Sequence, residues 1–479
     1  MKLHDDLLAF ISIREIGELF RRGKLSPVEL TRFLLDRIVK INPAINAYIT
    51  VCEEFAMQQA AQAEAELCKK SRGKNRRDRG SLHGIPISLK DNIYTKDIRT
   101  TGGSHILKDF VPVRDAPVVS MLKKAGAVIL GKTNMHEFAY GVTTANAQFG
   151  QTRNPWDLQR IPGGSSGGSA AALVAGLCYG SIGTDTGGSI RIPASLCGVV
   201  GLKPGLGRVG TDDVIPLSPT LDFVGPMARS VEDAALMLEP IFVRGKNERK
   251  LVPGRVSSNR GRRPRLGIPK ELFADVLDLD VEASFETALM ILKRRGARLQ
   301  EVSFPQLLET EDAGNQIAWA EATLFHQQAG WYPSRAAEYG EDVRTRLEMG
   351  TKVSAITYLQ ARDFREKFKA LFHQTFSAND LDAMILPTTP IAAPKIGEDS
   401  VSIKGATHPI RSLLLRLNRP ANLAGVPTIS VPCGLTQCGL PVGLQFIGDC
   451  TEERLLLELA RDFEREYPLK ARPNLDFAD

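Results

Sequence analysis

The sequence predicts an α/β fold, a sheet with helices packed on it, and three observations carry that expectation. Between residues 85 and 210, short apolar runs such as 127–130 (Ala-Val-Ile-Leu) and 179–182 (Tyr-Gly-Ser-Ile) alternate with helical segments. Alternation of this kind builds strands joined by packed helices. Ahead of it, two Ser-x-x-Glu capping boxes open helices. Behind it, apolar runs at 384–386, 428–431 and 442–446 return strands to the sheet.

Helix starts are marked at Ser12-Ile-Arg-Glu15 and Ser26-Pro27-Val-Glu29, the second with proline at the first helical position. Val28, Leu30, Phe33, Leu34, Ile38 and Ile41 share one face of that second helix, which is expected to end before Asn42-Pro43. Residues 251–265 are basic and turn-rich and read as a long surface connection. A helix follows over 281–295, several more lie between about 315 and 374, and a last one spans 452–467.

The bulk composition narrows the partners. Of 479 residues, 43% are hydrophobic and 24% charged, as in an ordinary globular enzyme. The net charge of +6 is small for this length, so no nucleic-acid partner is expected. The basic residues gather at 69–79 and 255–265, which read as solvated, mobile loops. Seven cysteines without CxxC spacing point to reduced thiols and to no zinc site. The apolar run at 7–11 is preceded by Asp5 and Asp6, where a signal peptide would be basic, so the expected location is the cytoplasm.

The most informative segment lies between Arg160 and Asp185, twenty-four residues without a charge. About half of them are glycine, serine, threonine or proline, a poor match to lipid, and no membrane association is expected. Glycine at that density suits a backbone that turns tightly and approaches a ligand. Ser165, Ser166, Ser169 and Ser189 place hydroxyls among those turns. Hydroxyls beside free backbone N–H groups are what acyl-transfer chemistry requires.

Several motifs extend this reading. They are His83-Gly-Ile-Pro-Ile-Ser-Leu-Lys90-Asp-Asn92, Gly131-Lys-Thr-Asn134-Met-His136-Glu137, Arg153-Asn-Pro-Trp156, the Gly163-Gly-Ser165-Ser-Gly-Gly block and Asp185-Thr-Gly-Gly-Ser189. Gly201-Leu-Lys-Pro204, Leu221-Asp-Phe-Val-Gly-Pro226, Pro420-Ala-Asn422-Leu-Ala-Gly425 and Pro441-Val-Gly-Leu-Gln445 follow in order. Together they resemble the amidase signature family over nearly the whole chain. The resemblance implies a single α/β/α domain over 1–479 with a mixed central sheet flanked by helices. Within it fall an N-terminal helical segment (1–80), a catalytic core (81–250), and a helical substrate-pocket region with returning strands (251–479).

The resemblance also assigns roles. Lys90 would be the base, Ser165 the bridging serine after a cis Gly164–Ser165 peptide, and Ser189 the acyl-forming nucleophile. A lysine base must lose its proton near neutrality, a fall from about 10.4 that corresponds to about 4 kcal/mol and that burial can supply. Ile85, Ile87 and Leu89 suit such burial, whereas Asp91 would oppose it if it pointed inward. A sharp turn ahead of a helix near Ile190 would aim the N–H groups of Thr186, Gly187, Gly188 and Ser189 at an oxyanion. Ser166, Asp185 and Arg191 would hold the loop, with Asp185 and Arg191 paired. No cofactor or metal is expected.

Competing motifs are weaker. Gly126-Ala-Val-Ile-Leu-Gly131-Lys-Thr133 fits the P-loop letter for letter, but its apolar centre reads as a strand. Gly205-Leu-Gly-Arg-Val-Gly210 fits a dinucleotide fingerprint but follows Lys203-Pro204 and reads as a turn. Gly163-Gly-Ser165-Ser-Gly167 also fits a nucleophile elbow, which would make the chain a Ser-His-Asp hydrolase and call on a late histidine such as His408.

The family includes stand-alone amidases and the glutaminase component of tRNA-dependent amidotransferases. Where the latter place an acidic residue seven positions before Asn-Leu-Ala-Gly, this chain has Leu415. The expected function is therefore hydrolysis of a small carboxamide to a carboxylate and ammonia or amine; the alternative is the amidotransferase glutaminase. His136, Trp331 and Arg346 are candidate substrate contacts. Trp319, Phe325, Trp331 and Tyr332 would either line an apolar pocket or pack as core. A homodimer stays open, as does a small accessory subunit.

Overall fold

The computed structural model describes residues 5–68, 79–245, 251, 263–450 and 452–476. The basic run at 69–79 therefore falls, save Arg79, outside the described residues, as does most of the run at 255–265. Among the described residues, eleven strands form one mixed sheet. In chain order they begin β1 (Tyr48–Val51), β2 (Pro86–Lys90), β3 (Val128–Thr133), β4 (Gly180–Asp185), β5 (Val200–Lys203) and β6 (Phe223–Ala228). β7 (Arg265–Ile268), β8 (Arg298–Glu301) and β9 (Ala383–Pro387) follow, then a separate hairpin of β10 (Ser400–Ile403) and β11 (Ala406–Pro409), then β12 (Thr428–Leu435) and β13 (Pro441–Ile447). The order across the sheet is β1-β3-β2-β4-β6-β5-β12-β13-β9-β7-β8. β2 runs parallel to both β3 and β4, and β7 runs parallel to both β8 and β9. The remaining pairings are antiparallel.

β2, β3 and β4 are buried along their whole length, as strands with both faces covered must be. β3 occupies the middle of the P-loop-like motif, so no phosphate-cradling loop exists there. Both N-terminal capping boxes form, at Ser12/Glu15 and Ser26/Glu29. The second helix, however, runs from Pro27 to Ile45 and includes Pro43. Pro43 removes only the bond to the carbonyl of Val39, a residue 75% exposed, where water can serve instead. Asn46 in the left-handed conformation then ends the helix. Among the described residues, no helix is long and apolar enough to cross a membrane.

A second apolar cluster stands apart from the main core. Phe138 stacks on Trp331 at 5.3 Å between ring centres and meets His326 edge-on at 4.6 Å. Trp319, Phe325 and Tyr332 pack against the same cluster.

Candidate active site

β2 and β4 are parallel neighbours with Leu89 opposite Ile182, so their carboxyl ends finish side by side. Lys90 closes β2 and Asp185 closes β4. Chains leaving the carboxyl edge of such a sheet diverge and open a crevice between them.

Lys90 is completely buried, with Nζ 2.6 Å from Ser165 Oγ and 2.7 Å from Thr184 Oγ1. Burial brings its amine down from 10.5 to about 7, against the pull of Asp185 and Asp222. Asp91 faces elsewhere. Its carboxylate accepts from the Thr101 N–H at 3.0 Å and from the Thr101 hydroxyl, and it lies near buried Lys132.

Ser165 follows a cis Gly164–Ser165 peptide, and its carbonyl accepts from the His136 N–H at 3.1 Å. The Ser166 N–H donates to the Ser189 carbonyl at 3.2 Å, and Ser166 Oγ donates to the Thr184 carbonyl at 3.3 Å. These bonds tie the glycine-serine block to the turn after β4. No histidine ring is hydrogen-bonded to Ser165 among the described residues, and His408 lies on the β10–β11 hairpin.

Ser189 sits on that turn, 6% exposed, just before the helix Arg191–Cys197. Arg191 grips Asp185 through Nε (3.0 Å) and Nη2 (2.9 Å), and Asn422 Nδ2 donates to the same carboxylate at 2.9 Å. The pair expected between Asp185 and Arg191 is thus present. Gly188 has φ +127, and a Cβ there would come within 2.7 Å of Asn418 Cβ, so only glycine fits. Its N–H donates to Asp185 Oδ1 at 2.8 Å, which corrects one expectation: Gly188 is committed to the loop and is not a free oxyanion donor. The N–H groups of Thr186, Gly187 and Ser189 find no protein acceptor among the described residues.

A cavity opens beside Ser189, lined by Tyr140, Gly187, Leu217, Arg411, Leu415 and Arg419 among others. His136, Trp331 and Arg346 are not part of its wall. His136 Nε2 and Arg346 Nη1 both contact Asp342 Oδ2 at 2.7 Å, and Arg346 reaches back to the Tyr140 carbonyl at 2.5 Å. Trp331 belongs to the second apolar cluster. His83 is further away, 3.2 Å from Glu66 and lining a different cavity. The sequence reading missed Thr184, Arg411 and Arg419. The two arginines flank Leu415 and precede the Asn422 motif, which is the one signal that could have found them.

The family model described as Amidase matches residues 29–457. The A subunit of the glutamyl-tRNA(Gln) amidotransferase from Syntrophus aciditrophicus is 37% identical over 96% of this chain and 98% of its own length. Among solved structures, a crystal structure of an amidase superposes with a TM-score of 0.86 at 32% identity, covering 95% of this chain and all of the other. The corresponding A subunit from Thermotoga maritima superposes with a TM-score of 0.76 at 35% identity, covering 98% of each.

Proposed function

The chain belongs to the amidase family, and from that premise we propose that it hydrolyses an amide C–N bond through an acyl-enzyme on Ser189. The observation that carries this reading is the buried Lys90 amine, held 2.6 Å from Ser165 Oγ and brought to about 7. Neutral Lys90 takes the proton of Ser165, and Ser165 takes that of Ser189 as its oxygen attacks the amide carbon. The oxyanion meets the N–H groups of Thr186, Gly187 and Ser189. As the C–N bond breaks, the proton returns through Ser165 to the leaving nitrogen. Water then adds to the ester and releases the carboxylate by the same relay in reverse.

The choice of amide has two supports pulling apart. Likeness to the amidotransferase relatives at 36–38% identity over almost the whole chain supports the glutaminase reading. The wall of the Ser189 cavity supports a substrate without an α-ammonium, because Leu415 lines it and, among the described residues, no carboxylate does. An ammonium taken from water into such a wall would be left without a counter-charge. We favour the second reading: a small carboxamide, hydrolysed without delivery to tRNA.

Ammonia release by the purified chain from glutamine, an aliphatic amide, an aryl amide and allophanate tests the choice. Glutamine exceeding the others, or activity only with added partner proteins, would return the reading to the amidotransferase glutaminase. Ser189→Ala keeping more than about a thousandth of turnover would remove the acyl-enzyme itself. A serine-reactive phosphonate should label Ser189 and leave Ser165 free.

A further inference from the structure

Two cations share the Ser189 cavity, and among the described residues no carboxylate lines it with them. Arg411 enters from the start of the helix Ile410–Arg416, and Arg419 from the start of the helix Arg419–Ala424. Arg411 makes no ion pair or side-chain hydrogen bond among the described residues, and its Nε is buried without a partner. Arg419, 6% exposed, spends Nη1 on the Glu311 carbonyl (2.9 Å) and Asn315 Oδ1 (3.0 Å). Its Nε lies 3.7 Å from where a Cβ on Gly187 would stand, so the guanidinium abuts the Ser189 turn. Gly314, with no side chain, makes room for its methylenes; a Cβ there would come within 2.4 Å of Arg419 Cδ.

The charge of Glu311 favours both cations from a distance, but that residue gives Arg419 only its backbone carbonyl and forms no ion pair with either arginine among the described residues. Asp342 is occupied by His136 and Arg346. Burial, with the nearby arginine cations, pushes Arg411 down to about 9, and burial pushes Arg419 down to about 10. An arrangement in which guanidinium groups are desolvated together without a carboxylate in contact is completed by an anion, and a planar carboxylate suits guanidinium best.

We propose that Arg411 and Arg419 form the anion-binding wall of the Ser189 cavity, so that the acyl part of the substrate carries a carboxylate. The substrate class is then the half-amides of small dicarboxylic acids and their relatives. The inference rests on the acyl-enzyme reading of Ser189. Leu415, seated between the two arginines in sequence and beside Gly187 in space, excludes an added ammonium while leaving the acid its partners.

The test compares half-amides from malonamate to adipamate with alkyl amides of equal length, such as glutaramate with pentanamide. At least one half-amide should exceed its neutral match by about 100-fold in kcat/KM. Arg411→Gln should lose at least ten-fold more on the acid than on the neutral amide, chiefly in KM, with Arg411→Lys recovering part of the difference. Binding of the dicarboxylates themselves, malonate to adipate, is measured by calorimetry on the intact chain and needs no turnover. Binding that Arg411→Gln weakens at least ten-fold supports the proposal. No dicarboxylate binding, equal use of acid and neutral amides, or equal losses on both in a folded Arg411→Gln would overturn it. Phosphonate labelling separates the two failures: Ser189 labelled with no acid preference sinks the carboxylate wall alone, and Ser189 unlabelled sinks the acyl-enzyme reading.

Discussion

Asp185 and Arg191 are joined by two parallel hydrogen bonds, of 3.0 and 2.9 Å, with both side chains completely buried. The same carboxylate accepts the N–H groups of Gly188 (2.8 Å) and Ile190 (3.1 Å) on either side of Ser189. One acid therefore fixes the backbone conformation of the turn, and its arginine anchors that turn to Asn418 and Asn422. Arg191 and Asn422 hold the Asp185 carboxyl well below the usual carboxylate range in spite of burial.

Asp185→Asn should then destabilise the protein by about 3–5 kcal/mol, because it leaves Arg191 buried and unpaired. Urea denaturation followed by circular dichroism measures it. A loss below about 1 kcal/mol would mean that the pair does not hold the turn.

The amine of Lys90 sets a pH dependence. Its conjugate acid is favoured below about 7, and the protonated amine cannot accept from Ser165. The expected kcat/KM rises with pH through about 7 and levels off above about 8. Lys90→Ala should abolish the limb together with the activity. A profile flat from pH 5.5 to 8 in wild type would show that another group is the base.

The same burial costs stability. With the folded pKa depressed below the unfolded one, the unfolded chain binds more protons between about 7 and 10.5, so this lysine's penalty is full below 7 and fades as pH rises. Lys90→Met should be inactive, yet more stable than wild type by about 1–3 kcal/mol at pH 6, after allowance for the lost bonds to Ser165 and Thr184. Thermal melts at pH 6 and pH 9 check the sign. A Lys90→Met variant less stable at pH 6 than wild type would contradict it.

What could be read in the sequence depended on how locally each feature is encoded. Lys90, Ser165 and Ser189 stand in short motifs whose glycines and neighbours set their own backbone, and the structure brings all three to the carboxyl edge of two parallel strands. The commitment of the Gly188 N–H to Asp185 could not be read, since it depends on how a buried carboxylate folds over its own turn. Arg411 and Arg419 stayed hidden because they reach Ser189 from more than two hundred residues away in sequence. Strands β7 and β8 are short and flanked by basic residues, so they carry too little apolar pattern to be recognised. The aromatic residues Trp319, Phe325 and Trp331 have the same composition as a pocket or a core, and only packing distinguishes them.

Leu415→Asp probes the wall of the cavity from the opposite direction. Leu415 is 6% exposed, and its Cδ2 lies 3.2 Å from where a Cβ on Gly187 would stand, so an aspartate there faces the turn that carries Ser189. The new carboxylate would meet Arg411 and Arg419, which lowers its own desolvation cost and competes with a substrate acid for the same guanidinium groups. It would also supply the counter-charge that an α-ammonium lacks in the native wall. Glutamine and glutaramate differ only by that ammonium, which makes them a matched pair. In wild type, glutaramate should be the better substrate. In Leu415→Asp, the ratio of kcat/KM for glutamine over glutaramate should rise at least about ten-fold, mostly by loss on glutaramate. Ammonia release from both amides, on protein shown folded by circular dichroism, gives the ratio directly. An unchanged ratio in the folded variant would show that position 415 does not face the bound acyl group.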